Sequence, residues 1–134
     1  MARHGDNSQD PERAVRTLGP GDRIRKRYEY LQAQSLGRRV HTPHFLVMLL
    51  PRPGEKLRLG ITVTRKASSS AVARNRVKRL VREVFRNNRD RFPTGCDVVF
   101  IARRGADALS LDEVLAEVLG AERAMRAAAR KVAG

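Results

Sequence analysis

One segment of the chain combines dense positive charge with the pattern of a helix that buries one face. Residues 65–91 hold ten Lys or Arg and two acids. The apolar residues of this segment recur at steps of three and four, at Val77, Leu80, Val81, Val84 and Phe85. Such a helix places its apolar stripe against a core and its cations in solvent. The pattern therefore predicts a folded module that docks onto a polyanion.

The remaining composition is typical of one small basic domain. The 134 residues suffice for a single core, and the formal net charge is +14. Most of the cations are Arg, whose planar fork binds phosphate through two hydrogen bonds. We therefore expect a nucleic acid as the partner. A helix that spans a bilayer needs about 20 apolar residues. The longest apolar run here, residues 45–50, is far shorter, so no membrane partner is expected.

The N-terminal residues and the metal-ligating side chains carry further expectations. Residues 1–20 lack apolar periodicity, so we interpret them as a flexible basic arm ahead of a single domain at residues 21–131. The same stretch lacks the apolar centre of a secretory signal, which favours a cytoplasmic location. The single cysteine, Cys96, and three histidines do not have the spacing of a zinc site. We expect no metal site and, without paired carboxylates, no catalytic residue in the protein.

Hydrophobic periodicity predicts the other elements. A first helix, at about residues 22–35, would bury Ile24, Tyr28 and Leu31 and end before Gly37. Strands are predicted at 45–50, 57–64 and 97–102, and the second strand alternates aliphatic and polar residues. The basic helix would run over about residues 71–88, with Ser68, Ser69 and Ser70 as candidate N-caps. A capping box at Ser110 and Glu113 begins the last helix, whose buried stripe would be Leu111, Val114, Leu115, Val118, Leu119 and Met125.

The basic segment also resembles the signature of a known family. Residues 60–86, GITVTRKASSSAVARNRVKRLVREVFR, are similar to the protein component of bacterial ribonuclease P, whose ArgAsnArg motif falls at Arg74, Asn75 and Arg76. The similarity extends to Tyr30, Gly37, Phe45 and residues 97–103. The resemblance implies an α+β fold, an α/β sandwich of order αβββαβα that is ribosomal protein S5 domain 2-like, with a left-handed βαβ crossover. General connection rules alone would favour the right-handed form.

The resemblance further implies a function, its partners and its site residues. The family's protein assists a catalytic RNA in the endonucleolytic removal of the 5′ leader from precursor tRNA. The implied partners are ribonuclease P RNA and precursor tRNA, with Mg²⁺ held mainly by the RNA and no obligate protein partner. The residues expected against the catalytic RNA are Arg74, Asn75, Arg76, Lys78, Arg79 and Arg82. The residues expected in a cleft for the leader are Tyr30, Gln34, Met48, Thr62, Thr64, Arg65 and Lys66.

Several alternatives stay open at this point. Gln34 and Met48 stand where the family often has aromatic residues, so base stacking in the cleft would be weaker than usual. Tyr30 could equally be a core residue of an amphipathic helix. The protein as a whole could be a non-catalytic structural RNA-binding protein, for example a ribosome-associated one. It could also be a DNA-binding regulator that places the basic helix in a major groove.

Overall fold

The structure, a computed structural model, describes residues 19–133. The arm expected at residues 1–20 therefore lies almost entirely outside the described residues. The helices and strands follow the order αβββαβα, which confirms the expected fold class. They are α1 (Arg27–Leu36), β1 (Arg38–His41), β2 (Phe45–Pro51), β3 (Arg58–Thr62), α2 (Ala71–Asn87), β4 (Cys96–Ala102) and α3 (Leu111–Ala133).

The strands form one mixed sheet in the order β1-β2-β4-β3. The β1/β2 and β2/β4 pairs are antiparallel, whereas β3 and β4 are parallel. Parallel neighbours need a crossover connection between them, and α2 supplies it. The left hand expected for this crossover stays a prediction.

Helices cover both faces of the sheet. On one face α2 and α3 pack together with the sheet around the larger core. The buried rings of this core are Phe45, Phe85, Phe92 and Phe100, and Phe45 meets Phe100 edge to face with 5.6 Å between ring centroids. On the other face α1 lies over a smaller apolar cluster. Burial of each large apolar side chain stabilises the fold by about 1.5–3 kcal/mol.

The basic helix α2 follows its sequence pattern closely. Of the three candidate caps, Ser70 is the one used: its Oγ accepts a hydrogen bond from the Ala73 N–H at 3.2 Å. The predicted stripe is confirmed, since Val77, Val81, Val84 and Phe85 are buried and Leu80 packs against the same core. This anchorage on one side leaves the other side of α2 free to carry charge.

The first helix differs from its prediction. α1 begins only at Arg27, and Ile24 lies before it in an extended segment whose N–H donates to the Leu59 carbonyl at 2.8 Å. Tyr28 and Leu31 were expected to be buried, but they are 60% and 47% exposed. The buried residue of α1 is instead Ala33, which is fully buried and faces the sheet. A small side chain at this point lets the helix backbone approach the strands closely.

Gly37 ends α1 as predicted, although the reason is space and not a left-handed backbone. Its φ is −75°, and its N–H donates to the Ala33 carbonyl at 2.8 Å. A Cβ at this position would lie 2.4 Å from the Ala33 carbonyl oxygen and 3.0 Å from that of Leu49. The turn from α1 into β1 therefore requires a residue without a side chain.

The last helix confirms its predicted cap but not its whole predicted stripe. The Ser110 N–H donates to Glu113 Oε1 at 2.8 Å, and the Glu113 N–H donates to Ser110 Oγ at 3.2 Å. Leu111 and Leu119 were expected to be buried, but both are about two-fifths exposed. The buried residues of α3 recur at steps of four, three and four, at Val114, Val118, Ala121 and Met125. This buried stripe is narrow because the small Ala121 lets α3 pack closely on the core. Leu111 and Leu119 therefore lie on the flanks of the helix.

Candidate RNA interface

The solvent-facing side of α2 carries cations whose side chains have no partner among residues 19–133. Within the described residues, the side chains of Lys78, Arg79 and Arg82 make no hydrogen bond or ion pair, and Asn75 is exposed beside them. Farther along the chain the charge is neutralised, because Arg86 pairs with Glu83 at 2.6 Å and Arg89 with Asp22 at 3.3 Å. The unpaired positive surface is therefore concentrated on the part of α2 that precedes Glu83.

The side chains of Arg74 and Arg76 make hydrogen bonds to backbone carbonyls, which the sequence did not indicate. Arg74 Nη1 donates to the carbonyls of Ser68 and Ser69 at 3.0 and 2.9 Å. Arg76 Nη1 donates to the Asp107 carbonyl at 2.9 Å. Both arginines thus hold loops beside the N-terminal end of α2. Their acceptors are neutral carbonyls, so both guanidinium charges stay uncompensated, and each retains further N–H donors.

A cavity joins α2 to the segment before α1. It has a volume of about 460 Å³ and is lined by four cations and four largely apolar side chains. The cations are Arg23, Arg25, Lys78 and Arg82, and the others are Ile24, Tyr30, Leu59 and Ile61. This composition suits a ligand with both phosphate and apolar surface, as a nucleotide strand has.

The Tyr30 ring lies between the cavity and the sheet. It is half-buried, and it packs so closely on β3 that a Cβ added to Gly60 would lie 2.8 Å from Tyr30 Cε1. The ring therefore packs against the smaller core and also faces the cavity, and its expected contact with the leader stays a prediction. Its position depends on the glycine beneath it.

On the face that carries α1, the register of the sheet defines two rows of side chains that cross all four strands. The inner row is Gly60, Val99, Met48 and Arg39, in the spatial order β3, β4, β2, β1. The outer row is Thr62, Ile101, Leu46 and His41, in the same order. α1 covers most of the inner row, whereas the outer row is half-buried to exposed. The outer row is thus the accessible floor beside α1.

Most of the predicted leader residues lie around this floor, and one does not. Thr62 is half-buried in the outer row, and Gln34 is half-buried on α1. Thr64, Arg65 and Lys66 are exposed in the turn between β3 and α2. Met48 has to be removed from the cleft surface, because it is 1% exposed and packs with Ala33 and Val99 under α1. A leader could reach Met48 only if α1 moved.

Sequence reasoning missed the rest of the outer row. Leu46, Ile101 and His41 lie between or beyond the predicted residues, and Arg103 follows on the same face. β2 and β4 are covered on both faces for most of their length, so they read as continuous apolar runs and their alternation is hidden. The signal that could have found these residues is the pairing register, which one sequence does not contain.

A buried ion-pair network fixes α1 on the sheet. Arg58 donates to both carboxylate oxygens of Asp97 at 2.8 Å and to Glu29 of α1 at 3.0 Å. Burial raises the pKa of Glu29, but hydrogen bonds from Arg58 and the Lys26 backbone, together with the Arg58 charge, outweigh burial and hold that pKa below its usual value. Asp97 is 2% exposed, and both of its carboxylate oxygens accept hydrogen bonds from Arg58. Its position therefore suits a structural role that holds α1 on the sheet, and not that of a general base.

Comparison with known proteins decides the family. A sequence model of the family described as Ribonuclease P matches residues 18–130. The chain belongs to the ribonuclease P protein family. Among curated relatives, the ribonuclease P protein component of Desulfovibrio desulfuricans is 48% identical over 101 residues, which cover 72% of this chain and 77% of the relative. That of Syntrophus aciditrophicus is 43% identical over 102 residues, which cover 76% and 85%.

Solved structures of the family agree with the fold. The ribonuclease P protein of Thermotoga maritima is 30% identical with a TM-score of 0.67, and the match covers 78% of this chain and 96% of that one. The Staphylococcus aureus protein is 26% identical with a TM-score of 0.68, over 77% and 94%. The chain is thus a ribonuclease P protein subunit with a role in tRNA processing, and a purely structural, ribosome-associated role is not favoured.

The described residues contain neither a cluster of metal-ligating side chains nor a helix suited to a membrane. Between residues 19 and 133, no group of three or more His, Cys, Asp or Glu side chains is arranged to hold a metal ion. No helix in the same part of the chain is long and apolar enough to cross a bilayer.

Proposed function

We propose that this subunit binds ribonuclease P RNA through the solvent-facing side of α2 and guides the 5′ leader of precursor tRNA along the outer row, while the RNA carries out catalysis. The observation that carries the proposal is the cavity between α2 and the segment before α1. Its cations, Lys78 and Arg82 among them, continue from the unpaired surface of α2. Its ring, Tyr30, belongs to the helix that borders the outer row.

The residues of this interface would reduce the repulsion between the two RNAs and hold the leader in position. Leader and catalytic RNA are both polyanions, and the unpaired cations of α2 would lower the repulsion between them. The apolar floor, with Leu46 and Ile101 at its centre, would accept bases while cations at its edges hold phosphates. In this proposal the Mg²⁺ ions that activate water in such a hydrolysis would be held mainly by RNA phosphates.

The proposal also covers the setting in which the subunit works. Ribonuclease P RNA and precursor tRNA would be its partners, without an obligate protein partner. The expected cytoplasmic location belongs to the same proposal, since precursor tRNA would be the substrate of the complex of protein and catalytic RNA.

The proposal is tested by cleavage of precursor tRNA by the cognate catalytic RNA at low Mg²⁺, with and without the protein. We expect the protein to increase cleavage and the Lys78→Ala, Arg82→Ala variant to lose most of this effect. The matched control is Arg123→Ala, Arg130→Ala, which removes the same charge from exposed positions of α3 away from the cavity. Unchanged cleavage on addition of the wild-type protein would refute the proposal.

Salt dependence provides a quantitative form of the same test. The logarithm of affinity for RNA falls with the logarithm of salt concentration by about 0.7–0.9 for each phosphate contact. Loss of the Lys78 and Arg82 contacts should therefore reduce the magnitude of this slope by about 1.4–1.8. The α3 control should keep the wild-type slope. Equal changes in both variants would mean that net charge, and not this surface, drives binding.

A further inference from the structure

The outer row ends at β1 in two basic side chains that meet each other. Arg103 Nη2 lies 2.5 Å from Nδ1 of His41. His41 is in β1 and Arg103 follows β4, and β2 lies between these strands in the sheet. The two side chains therefore meet above the end of an intervening strand, on the face that carries the outer row.

The hydrogen bond between them determines what the pair offers to a ligand. An arginine only donates, so His41 Nδ1 accepts, and the ring proton lies on Nε2. Arg103 uses one of its five N–H groups in this bond and keeps the others. Within the described part of the chain, neither side chain is paired with a carboxylate. The pair thus presents hydrogen-bond donors alone, which suits an acceptor such as a phosphate oxygen.

The surroundings add positive charge and continuity with the floor. Arg39 precedes His41 by two residues in β1, so its side chain lies on the same face, and it is exposed. At the other end of the outer row, Thr62 adjoins the turn that carries Arg65 and Lys66. Cations therefore stand at both ends of a floor whose middle is apolar.

We propose that His41 and Arg103 bind a backbone phosphate of the 5′ leader, upstream of the nucleotides that cross Thr62. The proposal rests on the proposed function, because it extends the leader path along the outer row. From β3 to β1 there are three strand spacings of about 4.8 Å, or about 14 Å. At about 3.4 Å per stacked nucleotide, this distance accommodates about four nucleotides or fewer. β3 is the strand beside α2, so the β1 end is distal to the surface proposed for the catalytic RNA.

The test compares two precursor tRNAs in the complete complex of protein and catalytic RNA. One has a leader long enough to cross the outer row, and the other has a leader too short to reach β1. Arg103→Ala should weaken binding of the long-leader substrate by about fivefold at about 0.1 M salt, which is the contribution of one single-strand phosphate contact. Its salt slope should fall by about 0.7. Binding of the short-leader substrate should not change.

His41→Ala provides a second variant at an exposed position. It should produce a loss in the same direction and again only with the long leader, because it removes the acceptor that orients the guanidinium. Arg123→Ala on α3 is the charge-matched control and should leave both substrates unaffected. Melting temperature and affinity for the catalytic RNA are measured in parallel, and both should match the wild type.

The possible results separate this inference from the proposed function. If the wild-type complex binds long and short leaders equally well, the leader path itself is wrong and the inference fails with it. If the wild type prefers the long leader and both variants keep that preference, only the role of His41 and Arg103 is refuted. Equal losses with the two substrates would also refute it, because they would indicate a structural effect.

Discussion

The buried pair of Arg58 and Asp97 makes a specific prediction about what holds α1 in place. Asp97→Asn keeps the size of the side chain but removes its charge and replaces one acceptor oxygen with a donor. One of the two 2.8 Å hydrogen bonds from Arg58 is then lost, and Arg58, 17% exposed, keeps Glu29 as its only close ionised partner among the described residues. A lost hydrogen bond to a charged group costs about 1.5–3 kcal/mol, and breaking a buried pair costs about 3–5 kcal/mol. We therefore expect Asp97→Asn to lower the free energy of unfolding by about 3 kcal/mol.

Thermal or urea unfolding of the free protein measures this loss, which corresponds to a decrease of about 10 °C in melting temperature for a domain of this size. Arg52→Ala is the control, because Arg52 contacts the same carboxylate at 3.4 Å from a partly exposed position, and it should cost less than about 1 kcal/mol. A loss below about 1 kcal/mol in Asp97→Asn would refute the view that this pair anchors the sheet and α1.

Two further predictions concern Glu29 and Gly60, which hold α1 and the Tyr30 ring in place beside the outer row. The pKa of Glu29 is lowered in the fold, so its bond to Arg58 stabilises the protein above the usual pKa of 4.5 and is lost as pH falls through the lowered value. Melting curves between about pH 6 and about pH 3 should show this loss, and Glu29→Gln should show a smaller one. Gly60→Ala should displace the Tyr30 ring, cost about 1–2 kcal/mol and weaken long-leader binding. Gly120→Ala, with open space around the new methyl group, should instead be neutral or stabilising in the same assays.

The sequence predicted α2 well because the information for it is local. Its N-cap, its apolar stripe and its charge all lie within one segment, and each follows the helical period. α1 was predicted less well because its orientation depends on contacts with residues distant in sequence. Glu29 bonds to Arg58 in β3, and Ala33 packs against the sheet. No periodicity within residues 22–35 reports these contacts, so the more hydrophobic Tyr28 and Leu31 were assigned to the core.

The candidate site shows the same division between local and distant information. Charge density identified Lys78, Arg79 and Arg82, and alternation in β3 identified Thr62 as facing away from the larger core. Met48 was assigned to the cleft by resemblance at one position, which cannot show that α1 lies over it here. The outer row joins four strands, so its members could not be recognised before the register of the sheet was known.

The anchored arginines of α2 suggest how a small, highly charged subunit can bind RNA without a large aromatic surface. Ordering a long side chain at an interface costs about 0.5–1.5 kcal/mol of conformational entropy. Arg74 and Arg76 meet part of this cost during folding, because backbone carbonyls of Ser68, Ser69 and Asp107 already orient their guanidinium groups. Lys78 and Arg82 have no such support from the part of the chain that the structure describes, so they can adapt to the phosphates they meet. Rigid and adaptable cations on adjacent turns would let one helix combine a defined orientation on the RNA with tolerance of its sequence.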